Sequence, residues 1–376
     1  MLDSQSDRQH AGNRLSNLEL LRIIAMVMIV FHHFACHSGF AWDKSTVTIP
    51  HLWRNFIVMG GKIGVDIFVL ISGYFLIKDE GKLFHLQRIL KFWGQVGFYS
   101  IGISLVFMPF QVQEYRALTL INALLPITSS AWWFASTYFV LYILHPFLNR
   151  LLVGLNRKAY QSLLVTLIIM WSVIPTFTTA SFKGSPFCWF VTLYALAGYV
   201  RLYGLNEKFT SAIYFKLWAA FSIFTYCLSV VCAFLATKWE KLSSYETYFF
   251  EMDTLTGLLI SLTLFMAFAT MKMNYHKWIN VIASSTFGVY LIHENGIVRP
   301  FLWETVFKGV QYQDSLLLIP YSIFAVALVY VACTVLELIR QKVFEKPFLW
   351  LITRVTEIVL KPIVGVCEFI KRMVFG

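Results

Sequence analysis

The stretch NLELLRIIAMVMIVFHHFACH, residues 17–37, is an apolar run long enough to cross a lipid bilayer. A helix needs about 20 mostly apolar residues for one crossing. Similar apolar runs recur along the chain, and together with this one they lie at 20–39, 56–77, 94–112, 131–149, 159–178, 186–200, 217–237, 254–271, 278–298 and 315–337. The pattern predicts an all-α polytopic membrane protein with about ten transmembrane helices.

The composition of the whole chain agrees with this prediction. Of 376 residues, 58% are hydrophobic, 17% are aromatic and only 14% are charged, whereas about 25% of the residues in a soluble domain are charged. A soluble globular enzyme and a disordered chain are therefore excluded. The net charge of +11 is explained by the Lys and Arg residues that collect in cytoplasmic loops, and we expect a bilayer and no nucleic acid as the partner.

The distribution of positive charge predicts the orientation. If both termini are inside, most Lys and Arg residues fall in inner segments, as the positive-inside rule requires. The predicted organisation is a cytoplasmic tail (1–18), a ten-helix membrane domain (19–338) and a basic amphipathic tail at the cytoplasmic face (339–376). In that tail, residues 347–372 predict an interfacial helix on the anionic leaflet and not an eleventh crossing. The charged residues that form its polar stripe are Arg354, Glu357, Lys361, Glu368 and Arg372.

The six cysteines do not indicate a metal site. None forms a CxxC pair, and most lie inside apolar runs, where a cysteine acts as a small hydrophobic residue. We therefore expect neither a metal nor a disulfide.

The first apolar run contains the polar residues with the most suggestive spacing. Arg22 and His33 are eleven residues apart, which is about three helical turns and about 16.5 Å along the axis, so they share a face with Glu19 and His37. Ionisable residues inside a membrane are costly and often functional. Histidine can act as a general base near neutral pH, and an arginine at the cytoplasmic edge can bind phosphate. The structural alternative is an interface anchor at Arg22 and a hydrogen-bonded core histidine at His33.

The second run adds a buried acid and close helix packing. Gly60 and Gly64 are four residues apart, a spacing that lets two helices approach closely. Asp66 needs a partner, and the candidates are Lys62, a histidine of the first run, or a hydroxyl. A purely structural ion pair is the alternative role for Asp66.

The segment that follows is basic and amphipathic. Arg88 and Lys91 are suited to an anionic cofactor head such as a nucleotide diphosphate, or to simple contact with anionic lipid.

Two aromatic patches complete the set of candidates. The first includes Trp133 and Tyr138, and the second includes Tyr290 and His293, which are three residues apart and share a helix face. Aromatic residues at the ends of spans are commonly interface anchors, and a buried histidine is commonly a core residue, so both structural alternatives stay open.

Together these motifs resemble the acyltransferase-3 family of integral membrane acyltransferases. The resemblance covers about residues 14 to 346 and rests on four segments in the family's order. They are Arg22 followed by His33 with ten residues between them, Gly64-Val65-Asp66-Ile67-Phe68 with Ser72-Gly73, the aromatic patch at 133–142, and Tyr290-Leu291-Ile292-His293. Two positions depart from the family pattern. Lys91 replaces the second arginine of an Arg-x-x-Arg pair and is a point charge without a bidentate fork, and Glu294 stands where the family often has proline.

The resemblance implies a transfer reaction and roles for the residues. The donor would be an acyl-CoA, most often acetyl-CoA, presented from the cytoplasm without a metal cofactor. The acceptor would be a sugar hydroxyl of a surface polysaccharide or of its lipid-linked precursor. His33 would be the general base or would carry the acyl group. The remaining roles fall to Arg22, Arg88 and Lys91 at the coenzyme phosphates, to Asp66 in orienting a histidine or fixing a helix pair, and to Trp133, Tyr138, Tyr290, His293 and Glu294 at the acceptor.

The resemblance also implies a multi-pass protein of the bacterial cytoplasmic membrane that works with other polysaccharide-assembly proteins. Two other functions are compatible with the residues alone. A transporter or flippase for a lipid-linked sugar or small solute would use the same buried charges as a pathway. A scaffold of an envelope glycan machine would need no catalysis.

Overall fold

A computed structural model describes residues 15–42, 45–79, 86–110, 123–178, 185–351, 353–354 and 373. Within these ranges every regular element is helical, and ten long helices follow one another along the chain. They are α1 (Ser16–His37), α2 (Ile49–Leu76), α3 (Leu86–Phe107), α4 (Trp133–Gly154), α5 (Arg157–Ile168), α6 (Pro186–Tyr203), α7 (Ser211–Ala236), α8 (Leu255–Thr270), α9 (Lys277–His293) and α10 (Leu318–Arg340). The all-helical class predicted from the sequence is confirmed for the described part of the chain.

Seven helical segments are long and apolar enough to cross a membrane. They are Ser16–His37, Ile49–Leu76, Gln87–Phe110, Arg157–Phe177, Ser211–Ala236, Glu240–Thr270 and Leu318–Leu351. The other three predicted runs correspond to α4, α6 and α9, which are helical but more polar or shorter. A multi-pass membrane protein is therefore supported, while the count of ten crossings and the orientation of the termini stay predictions. The predicted interfacial helix at 347–372 lies largely outside the described residues.

Several helix starts follow from their local sequence. The side chains of Asn156, Ser185 and Thr254 each accept a hydrogen bond from a backbone N–H three residues on, at the start of α5, α6 and α8. Such caps satisfy donors that a helix leaves free at its first turn. Two helices continue into wider π turns, α5 at Ile169–Val173 and α10 at Gln341–Glu345, and a third π turn lies between α9 and α10 at Phe301–Phe307.

Helices α1 and α2 pack closely in antiparallel directions because glycines of α2 face α1. A Cβ atom on Gly64 would lie 2.7 Å from the backbone oxygen of Ala25, and one on Gly61 would lie 2.1 Å from the His32 ring. Helix α9 runs parallel to α1, since Asn280 bonds Ser16 near one end and His293 meets His33 near the other. We call the end of the bundle near Ser16 and Asn280, where Arg22 also lies, the Arg22 end, and the end near His33 and His293 the His33 end.

Asp66 ties three helices together in the core. Its side chain is fully buried. Oδ1 accepts a hydrogen bond from Trp189 Nε1 of α6 at 2.9 Å, and Oδ2 accepts one from Ser261 Oγ of α8 at 3.2 Å. Of the partners expected from the sequence, a hydroxyl is present. Lys62 instead lies 3.8 Å from Glu251.

Candidate functional site

A pair of histidines forms the centre of the His33 end. His33 Nδ1 lies 2.8 Å from Nε2 of His293, and His293 Nδ1 lies 2.6 Å from the carbonyl oxygen of Val289. A carbonyl only accepts hydrogen bonds, so Nδ1 of His293 carries a proton and its Nε2 is an acceptor in the neutral ring. Nδ1 of His33 must then donate, which leaves Nε2 of His33 with a free lone pair. The arrangement therefore presents one unprotonated imidazole nitrogen.

Glu294 adds a negative charge beside this pair. Its Oε2 lies 3.2 Å from His33 Nδ1 and 3.7 Å from His37 Nε2. Its Oε1 accepts a hydrogen bond from Arg299 at 2.8 Å. An imidazolium at His33 would thus be stabilised by a nearby carboxylate that is held in place by a cation.

Glu294 and the two histidines beside it, His33 and His37, could also hold a metal ion. His33, His37 and Glu294 offer one ligand atom each, and these atoms lie within 4.8 Å of one another. Two histidines four residues apart on a helix with a carboxylate from another element are suitable zinc ligands. The expectation that the protein uses no metal stays a prediction.

His32 has different surroundings, although it is the next residue. Its Nδ1 is bonded to the carbonyl oxygen of Val58 at 2.8 Å, and its ring fills the space above Gly61. Cys36 lies 3.6 Å from its Nε2. His32 therefore packs between α1 and α2, whereas His33 faces α9.

A cavity of about 590 Å³ opens at the Arg22 end. Four cationic side chains line it, from Arg22 of α1, Lys91 of α3, Lys277 of α9 and Arg340 of α10. Its deeper part is apolar and includes Phe68, Phe134 and Phe287, and Tyr138 lies there with its hydroxyl 3.1 Å from Ser72 Oγ. Such a cavity is suited to a ligand with an anionic head and a thin, uncharged arm.

Two aromatic rings separate this cavity from the histidines. Phe134 lies in the cavity wall and packs edge-on against Tyr290, with ring centroids 5.7 Å apart. The Tyr290 ring lies 6.5 Å from His33 and 6.3 Å from His293. The eleven-residue spacing of Arg22 and His33 thus connects two compartments, with Tyr290 and Phe134 between them.

Other predicted site residues lie apart from these two groups. Arg88 is exposed and its Nη1 lies 2.8 Å from Asp79, outside the described lining of the cavity. Trp133 is 37% exposed at the His33 end of α4, with Lys62 Nζ 5.4 Å from its ring centroid. Asp66 accepts hydrogen bonds from Trp189 and Ser261, and none from a histidine among the described residues.

Sequence reasoning did not single out Lys277, Arg340 or Arg299. In the sequence, Lys277 and Arg340 are charges at the ends of apolar runs, which the positive-inside rule explains without a ligand. Only the packing of α9 and α10 beside α1 shows that both side chains line one cavity. The carbonyl of Val289, which fixes the histidine tautomers, carries no side-chain signal at all.

Comparison with known proteins identifies the family of the chain. No curated protein and no solved structure matches the chain. The model of the acyltransferase-3 family, described as an acyltransferase domain, matches residues 15–338. The matched range contains α1 to α9 and nearly all of α10, and with them both histidines. The chain therefore belongs to the acyltransferase-3 family and is a membrane acyltransferase.

Proposed function

We propose that this protein is an O-acyltransferase that moves an acyl group, most often acetyl, from acyl-CoA to a sugar hydroxyl. The acceptor is a surface polysaccharide or its lipid-linked precursor, and the protein lies in the bacterial cytoplasmic membrane. The observation that carries the proposal is the hydrogen-bonded pair of His33 and His293, which leaves a lone pair on His33 Nε2.

The reaction then follows from ordinary acid–base chemistry. His33 Nε2 takes the proton of the acceptor hydroxyl while the hydroxyl oxygen attacks the thioester carbonyl. The carbon–sulfur bond breaks, and the departing thiolate receives the proton from the His33 imidazolium. In the meantime Glu294, 3.2 Å from Nδ1, stabilises the positive charge. If His33 instead carries the acyl group, its Nε2 lone pair attacks the thioester carbonyl and the carbon–sulfur bond breaks with loss of the thiolate. The sugar hydroxyl then attacks the acyl-imidazole, the bond between the acyl carbon and Nε2 breaks, and the thiolate takes the hydroxyl proton.

The donor occupies the cavity at the Arg22 end in this proposal. Arg22 and Lys91 meet its phosphates, and the pantetheine arm follows the apolar part past Tyr138. The distance of about 16.5 Å along α1 suits an extended arm that reaches the histidines once the rings of Phe134 and Tyr290 make room. At the other end, exposed Trp133 offers a flat face on which a sugar ring can stack.

The test is transfer of labelled acetyl from acetyl-CoA to surface glycan by membranes that contain equal amounts of each variant. His33→Ala should lose about 10²–10⁴-fold in rate, the usual share of a general base. His32→Ala is the matched control, because its ring contacts α2 and not α9, and it should keep most of the activity. Normal transfer by His33→Ala would disprove the role of His33. If the wild type transferred no short acyl group to any glycan offered, the proposed donor and acceptor would be wrong.

A further inference from the structure

A buried carboxylate next to the cavity, outside its described lining, holds the lining residue Arg340 in a fixed orientation. Glu337 of α10 is fully buried. It accepts hydrogen bonds from Tyr99 Oη at 2.5 Å, Gln95 Nε2 at 3.0 Å and Gln341 Nε2 at 2.8 Å. Arg340 donates to it through both Nε, at 2.7 Å, and Nη2, at 2.8 Å. A buried acid with this many donors fixes the direction of the guanidinium plane.

Helix α9 has a glycine, Gly288, where it packs against this carboxylate. A Cβ atom on Gly288 of α9 would lie 2.5 Å from the Glu337 carboxyl group. The absence of a side chain at Gly288 therefore lets α9 approach α10 closely enough for Lys277, Arg340 and Gln341 to line the same cavity.

Arg340 keeps one nitrogen free for a ligand. Nε and Nη2 are engaged by Glu337, while Nη1 makes no hydrogen bond with any residue that the structure describes. A guanidinium held on one edge and open on the other is a good receptor for a phosphate group.

Glu345 is the one carboxylate in the described lining of the cavity. Its Oε1 lies 2.5 Å from Lys91 Nζ, and its Oε2 lies 3.2 Å from Arg340 Nη2. In an α-helix Glu345 would point about 140° away from Arg340. The wider π turn Gln341–Glu345, with hydrogen bonds from i to i+5, brings it back towards the same side. The chain thus places its own anion between two cations of the cavity.

We propose that Arg340, Lys91 and Lys277 form a subsite for a phosphate group of the donor, and that Glu345 occupies this subsite when no donor is bound. The inference rests on the proposed function in one respect, that the donor is an acyl-CoA. Glu337 is a positioning residue in this proposal, and Glu345 is a competitor that the phosphate displaces.

The two acids should therefore have opposite effects on ligand affinity. The measurement is the Kd of CoA and of pantetheine, which has no phosphate, for the purified protein in nanodiscs of zwitterionic lipid. Arg340→Gln and Glu337→Gln should weaken CoA binding at least tenfold and leave pantetheine binding unchanged. Glu345→Gln should tighten CoA binding at least threefold, because the competing charge is gone. Arg150→Gln replaces an exposed arginine outside the cavity and is the matched control.

Each outcome decides for or against the subsite. Wild-type affinity of Arg340→Gln for CoA, or weaker binding by Glu345→Gln, would overturn it. Nanodiscs with phosphatidylglycerol test the other source of phosphate. If Arg340→Gln changed the binding of that lipid and not of CoA, the subsite would serve a headgroup and the proposal would fail. His33→Ala should bind CoA normally, so a protein that binds CoA through Arg340 yet transfers no acetyl would contradict the proposed function alone.

Discussion

At the scale of single residues, His32 and His33 show how one step along a helix changes a side chain's chemistry. His32 bonds a backbone carbonyl of α2, and His33 bonds a second imidazole on α9. Successive positions on a helix point about 100° apart. The neighbours therefore face different helices, and of the two only His33 forms a hydrogen bond with a second imidazole.

We expect His293 to act on the rate of the chemical step more than on substrate binding. His293→Ala removes the nearer of the two acceptors beside His33 Nδ1 and leaves Glu294 Oε2 at 3.2 Å, so we expect kcat to fall about 10- to 100-fold, part of what a general base supplies. KM for donor and acceptor should change less than about twofold, since ground-state contacts are kept. His293→Gln, whose amide oxygen can accept the same hydrogen bond, should recover part of kcat. Steady-state kinetics on all three proteins would contradict this if KM for the acceptor rose and kcat did not change.

The grouping of the candidate site residues could be predicted from the sequence only where it depends on the geometry of a single helix. The eleven-residue spacing correctly placed Arg22 and His33 on one side of α1, because helix geometry is local. It could not show that Phe134 and Tyr290 lie between their compartments, since that depends on how α4 and α9 pack. For Asp66, the sequence indicated a need for a partner, but Trp189 and Ser261 come from distant helices and no periodicity points to them.

At the scale of helices, the contact between α1 and α2 holds the site in register. The spacing of Gly60 and Gly64 predicted a close approach, and α1 side chains or backbone lie within 3 Å of a Cβ atom built on either glycine. His32 lies in this contact and His33 is the next residue on the same helix. A shift of α1 along α2 would therefore also move His33 relative to His293.

Gly64→Ala tests this contact. The added methyl group would meet the backbone oxygen of Ala25 at 2.7 Å, and backbone cannot move aside as a flexible side chain can. We expect a loss of about 1–3 kcal/mol in unfolding free energy, typical of overpacking. The measurement is unfolding of the detergent-purified protein by denaturant or heat. Gly102→Ala in α3 is the control, because no other helix in the described part of the chain comes within 4 Å of a Cβ atom at that position. Equal stability of the two variants would show that α1 and α2 can separate without cost.

At the scale of the whole molecule, the bundle divides into a cavity at the Arg22 end and a histidine cluster at the His33 end. Hydropathy predicted the helices, because each apolar run is a local signal of sufficient length. The division itself arises from six helices, α1 to α4 near the start of the chain and α9 and α10 near its end, so it depends on contacts between distant parts of the sequence. If the positive-inside prediction holds, the cavity faces the cytoplasm, where acyl-CoA is found, and the histidines lie towards the other side, where a surface glycan is found.

The partition between the two ends should protect the thioester from water. Phe134 is largely buried between the cavity and Tyr290, so Phe134→Ala opens a direct path from the exposed surface near Trp133 to the donor. We expect the variant to hydrolyse acetyl-CoA several-fold faster than the wild type when no acceptor is present, because water then replaces the sugar hydroxyl at His33. The measurement is release of the free CoA thiol by the purified protein. Phe147→Ala, on an exposed part of the same helix, is the matched control and should hydrolyse at the wild-type rate. The double variant with His33→Ala should lose the extra hydrolysis. Hydrolysis that stayed at the wild-type rate in Phe134→Ala would show that these rings do not separate donor from acceptor.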